Sequence, residues 1–124
     1  MSGADVGVSY LLPRIVGPTL AFEMMLTGRL ITAKEAQASG LVLKSVSEDG
    51  LIPEAIKIAE QICLNSPFGI WMTKEAMWAN LQATSLKNAI ELENRTQILC
   101  LQTQDAKEAS RAFIEKRRPH YKNF

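Results

Sequence analysis

Between Leu51 and Leu64 the apolar residues fall three and four positions apart. Ile52, Ala55, Ile56, Ala59, Ile62 and Cys63 form one stripe, with Glu54, Lys57, Glu60 and Gln61 outside it. This spacing predicts an amphipathic helix with a buried stripe, and Pro53 falls in its first turn, where a missing N–H costs nothing. Ser66-Pro67 restarts the chain as N-cap and first residue of a helix to about Leu81. That helix carries Trp71, Met72, Met77 and Trp78, more bulk than one buried face needs. Pro18 opens a helix to about Thr27 in the same way, with Leu20, Ala21, Met24 and Met25 on one face as core filling. Ser85–Thr103 is the longest predicted helix, and Glu93 interrupts its face of Leu86, Ala89, Ile90, Gln97 and Cys100. Glu91 and Arg95 stand four apart, a spacing at which they can pair on the outside. The last helix runs to about Arg117, with Asp105 and Glu108 as its expected capping pair and Ala106, Ala109, Ser110 and Phe113 on a narrow face.

The stretch Leu26–Val42 packs several signals together. Gly28 stands where a helix ending at Thr27 needs a residue tolerant of positive φ. Thr32-Ala33-Lys34-Glu35 fits a capping box, in which each end supplies a partner for the other's amide. Gly40 then stops the short helix, and Leu41-Val42-Leu43 reads as a buried strand or turn of core.

These elements define a mainly α chain. With 47% hydrophobic and 22% charged residues, its 124 residues suffice for one small folded piece rather than a disordered one. A net charge of +1 supplies no field for nucleic acid or an anionic membrane. Glu23 and Arg29 break the longest apolar run, which excludes a spanning helix there. Cys63 and Cys100 lack metal-ligand spacing and read as buried free thiols in a reducing compartment. The first residues show no basic-then-apolar secretory pattern, so a cytoplasmic or organellar-matrix location is expected.

Candidate chemistry is sparse. Gly3 and Gly7 flank Asp5 in a loop where backbone can come close to another group. No Gly-Lys-Ser/Thr follows, so it is not a phosphate loop, and Leu11 replaces the second glycine a nucleophile elbow requires. Ser9 is then an N-cap or turn residue. Glu93 is either a structural ion-pair partner or an acid–base group facing a cleft. Lys116-Arg117-Arg118 either cap the last helix and aid solubility, or bind phosphate with Phe113 as a ring for a base to stack on. His120, the one histidine, lies in a tail after Pro119 and reads as solvated.

Three ordered pieces carry a resemblance: Gly3-Ala4-Asp5-Val6-Gly7-Val8-Ser9-Tyr10-Leu11-Leu12-Pro13-Arg14, the Leu26–Val42 stretch, and Ala112-Phe113-Ile114-Glu115-Lys116-Arg117, with Asn65-Ser66-Pro67 between. In that order they resemble the C-terminal half of the crotonase superfamily, the enoyl-CoA hydratases and isomerases. The resemblance implies the C-terminal helical part of an α/β, ββα-spiral fold, with at most one short strand near Leu41–Val46. It implies a partial active-site loop and helix start in residues 1–16, and a helical, oligomer-forming region in residues 17–124. In such enzymes two backbone amides stabilise an enolate-like oxyanion of an acyl-CoA thioester while carboxylates move protons. Both amides belong to the half not present here, so the isolated chain is expected to be inactive. Asp5 matches an acidic proton-transfer position of dienoyl-CoA isomerase-like members, with a plain loop aspartate as the other reading. Phe113 and Lys116 match residues near the adenine and phosphates of coenzyme A. The family also implies a trimer or dimer of trimers, and a coenzyme A thioester as substrate with no separate cofactor or metal. The alternative from a different class is a non-catalytic helical interaction module derived from such an enzyme.

Overall fold

A computed structural model of the chain describes residues 4–123, so Gly3, the first glycine of the Asp5 loop, lies outside the described residues. The chain divides into two compact units, Met1–Leu51 and Ile52–Phe124. Regular structure among the described residues is helical throughout; residues 41–43 form bends and residues 44–46 are irregular, with no strand there.

In the first unit, α1 (Val8–Val16) follows a tight turn at Gly7, whose φ is 84°. Ser9 lies inside the first turn of α1 rather than capping it, and Pro13 lies within the helix. A proline there removes one ladder bond, and in so short a helix the Arg14 Nη1 donates to the Tyr10 carbonyl at 2.7 Å across the same stretch. α2 (Pro18–Thr27) packs against α1 and buries Ala21 to 1% exposure, with Leu12 of α1 also buried. Met24 and Met25 are half-buried.

Gly28, at φ 65°, ends α2 with its amide on the Met24 carbonyl. Thr32 then caps α3 (Ala33–Ala38) through the expected reciprocal box: the Glu35 amide donates to Thr32 Oγ1 at 3.1 Å, and the Thr32 amide to Glu35 Oε2 at 2.9 Å. The Thr32 amide, and after it the Thr32 hydroxyl donating to Glu35 Oε2 at 3.1 Å, hold the Glu35 carboxyl below the usual glutamate range. Arg29 links the two helices, its Nε on both carboxylate oxygens of Glu23 (2.7 and 2.9 Å) and its Nη1 on Glu35 at 3.1 Å. At the far end of α3 the Leu41 and Gly40 amides return to Ala36 and Gln37 (2.9 and 3.1 Å), with Gly40 at φ 77°. This is the paired bonding of a Schellman motif. Leu43 emerges from it exposed rather than buried, because the chain offers residues 41–43 no sheet to join.

In the second unit, α4 (Leu51–Ile62), α5 (Pro67–Asn80), α6 (Leu86–Leu101) and α7 (Gln104–Ile114) follow in order, with α5 on α6 and α6 on α7. Ser66, Ser85 and Thr103 cap α5, α6 and α7 by accepting from Gly69, Asn88 and Ala106 at 3.1–3.2 Å. The cap of α7 is therefore Thr103, not the expected Asp105–Glu108 pair. Lys87, one turn upstream, takes the Glu91 carboxylate at 3.9 Å, while Arg95 donates to the Glu91 backbone carbonyl at 3.4 Å.

The apolar stripes form where the periodicity places them, yet they stay largely uncovered. Ile52 is 65% exposed, Trp71 55% and Trp78 59%, and the thiol of Cys63 is exposed rather than buried. Both cysteines are free. No helix among the described residues is long and apolar enough to cross a membrane.

Candidate functional site

The residues expected to carry function fall in both units. Asp5 belongs to the first; Phe113 and Lys116 belong to the second.

Asp5 sits in a turn made of unusual backbone. Val6 has φ 48° and Gly7 φ 84°. A β-branched residue in the left-handed region is a strained arrangement, held here by two short bonds. The Val6 amide donates to Asp5 Oδ1 at 2.7 Å, and the Val8 amide to the Asp5 carbonyl at 3.0 Å. The carboxyl is thereby fixed in direction at the entrance to α1 while remaining exposed.

The end of α7 is built by two carboxylates on its own face. Asp105, 2% exposed, accepts from the backbone amides of Lys122 at 2.7 Å and Asn123 at 3.0 Å. Glu108, one turn on, accepts from both Nη atoms of Arg117 and from the His120 amide at 2.9 Å. Arg117 Nε reaches Glu115 as well. The tail after α7 is thus laced back along the helix. The Arg117 guanidinium, and after it the His120 amide, hold the Glu108 carboxyl down to about 2. Arg117 is pushed up in turn, by Glu108 first and Glu115 second.

Glu115 closes the helix, and Lys116 follows at φ 52°. The Lys116 amide returns to Phe113 at 3.3 Å and the Arg117 amide to Ala112 at 3.0 Å. This is again a Schellman end, with lysine where glycine is usual. The basic cluster divides in two. Arg117 is consumed inside the fold, whereas the exposed Lys116 ammonium has no ion-pair partner among the described residues. The Phe113 ring, one turn back, is 86% exposed.

Glu93 is exposed and accepts from Asn80 Nδ2 at 3.4 Å, in an open groove between α5 and α6. It makes no ion pair among the described residues, so this chain alone supplies neither a cationic partner nor an enclosed cleft for it. Among the described residues, no group of three or more His, Cys, Asp or Glu converges to hold a metal ion.

The family model for enoyl-CoA hydratase/isomerase matches residues 2–123 of this chain. The chain belongs to the enoyl-CoA hydratase/isomerase family. Among its relatives, the probable enoyl-CoA hydratase echA12 of Mycobacterium leprae is 41% identical over 118 residues, which are 94% of this chain and 40% of that protein. The mitochondrial enoyl-CoA hydratase of Pongo abelii is 40% identical over 112 residues, 90% of this chain and 38% of its own. The crystal structure of an enoyl-CoA hydratase from Bacillus anthracis superposes with a TM-score of 0.91 at 37% identity, covering 95% of this chain and 45% of that one. The chain therefore spans about two-fifths of the length of the curated enoyl-CoA hydratase relatives it matches.

Sequence reasoning missed the Asp105–Glu108 lacing. The signal was present in an acidic pair three residues apart followed by a basic tail, and it was read instead as helix capping.

Proposed function

We propose that this chain is the C-terminal portion of an acyl-CoA-processing enzyme, an enoyl-CoA hydratase or an enoyl- or dienoyl-CoA isomerase, and that it has no activity by itself. In this reading Phe113 and Lys116 receive the nucleotide end of coenzyme A, and Asp5 exchanges a proton at the acyl end. Oxyanion stabilisation comes from backbone amides outside this chain. The substrate is the coenzyme A thioester, with no separate cofactor.

The observation that carries the reading is the unpaired Lys116 ammonium set one turn from an exposed ring, in a chain of this family. An ammonium recognises phosphate as a compact charge, and an exposed ring offers a stacking face to a base. The same enzyme is a homo-oligomer, a trimer or a dimer of trimers, in the cytoplasm or an organellar matrix. The exposed faces around Trp71 and Trp78 support assembly, since apolar surface of that kind is normally covered. A folded monomer in sedimentation at high concentration would contradict it.

The test of the coenzyme A reading is Lys116→Ala in the complete enzyme. The contact is equal in ground and transition states, so KM should rise with little change in kcat. A charge-assisted phosphate contact is worth at most about 1.5–3 kcal/mol and less when solvated, so the expected rise is several-fold to roughly tenfold. Equal KM values at low salt would remove Lys116 from the site.

A further inference from the structure

Among the described residues, α1, α2 and α3 also end at a residue of positive φ, and all three use glycine there: Gly17, Gly28 and Gly40. α7 makes the same kind of end with Lys116, whose Cβ resists that conformation. What distinguishes this end is the restraint on the next residue. Arg117 is gripped through both Nη atoms by Glu108 and through Nε by Glu115, and Glu108 also takes the His120 amide. A residue serving only as a turn would be better as glycine, and Lys116 makes no ion pair among the described residues to explain its side chain.

We infer that Glu108 is a positioning residue for Lys116: through its two-toothed grip on Arg117 it holds the end of α7 in the left-handed turn that sets the Lys116 ammonium toward an anionic group of the ligand. The inference rests on the reading that this ligand is the phosphate-bearing end of coenzyme A. Glu108 touches no substrate and acts only through Arg117 and the intervening backbone. Its planar, doubly bonded contact fixes an angle as well as a distance, which a single hydrogen bond does not.

The experiment compares Glu108→Gln, Lys116→Ala and the double variant in the complete enzyme, on two substrates. One is the enoyl-CoA thioester. The other is the enoyl-pantetheine thioester, which lacks the nucleotide and its phosphates. Glu108→Gln should raise KM for enoyl-CoA by roughly three- to tenfold while changing kcat little, and should leave kcat/KM for enoyl-pantetheine within about twofold. In the Lys116→Ala background it should add nothing further to KM, because the two residues act on one contact. If Lys116→Ala raises KM but Glu108→Gln does not, the coenzyme A reading stands and the positioning role is lost. An unmoved KM in Lys116→Ala removes both. Equal damage by Glu108→Gln on both substrates, or additive effects on KM, would make Glu108 a merely structural residue. Should Glu108→Gln fail to fold, Arg117→Lys decides by the same two-substrate comparison, since it keeps the charge and loses the fork.

Discussion

The backbone amide of Lys122 donates to the buried carboxylate of Asp105 at 2.7 Å, joining residues seventeen apart. The Asn123 amide takes the other oxygen at 3.0 Å. Asp105 is thus a partner for the tail rather than for its own helix, although it stands in the first turn where an acidic residue also suits the dipole.

Asp105→Ala removes both acceptors at once. The two amides then lose their partner or pull the tail into water, at a cost of about 1–3 kcal/mol. Denaturant unfolding should show the loss, and amide exchange at Lys122 and Asn123 should speed up far more than exchange within α6. Unchanged exchange at those two amides would mean the tail is held by something else.

Acid should undo the Glu108 contact, and only acid. Its carboxyl titrates at about 2 in the fold against an ordinary 4.5, so the unfolded chain binds its proton first as pH falls. The stabilisation is complete above 4.5 and is lost as pH drops toward about 2. Protection of the His120 amide should be flat from neutral pH down to that range and then collapse. A midpoint near neutrality would contradict the assignment.

Gly40→Ala tests strain without crowding. Nothing lies within 4 Å of a Cβ placed there, but φ is 77°. The expected cost is about 1 kcal/mol, all of it from backbone. Lys116→Gly should shift stability the opposite way, because it relieves the same conformation. Equal signs for the two variants would show that space, not φ, governs these helix ends.

Asp5→Asn keeps the shape of the turn, including an oxygen for the Val6 amide, and removes the proton-carrying group. In the complete enzyme kcat should fall by roughly 10²–10⁴-fold with folding intact. Parental kcat would reduce Asp5 to a turn residue.

What the sequence disclosed well was everything decided within a few residues. Gly28, the Thr32–Glu35 box, Gly40 and Ser66 each satisfy a helix end through partners three to five positions away, and Pro18 opens α2 without an N–H to satisfy. Such bonds leave a spacing that can be read. The Asp105 and Glu108 partners lie nine to eighteen residues off and follow no period, so composition pointed to them without giving their geometry. The stripes of α4 and α5 were legible as stripes. Their burial was not, because burial depends on surfaces that the pattern of one segment cannot specify.

Arg29 makes the link between α2 and α3 a joint with one setting. Its guanidinium holds Glu23 six residues behind it and Glu35 six residues ahead. The backbone rotations from Thr27 to Thr32 therefore cannot vary independently, since both ends are referred to one rigid plane. A lysine would keep the charge, yet its point-like ammonium lacks the fork that grips both carboxylates in fixed directions. The two helices would then turn as separate bodies on a flexible tether, with Gly28 as the swivel.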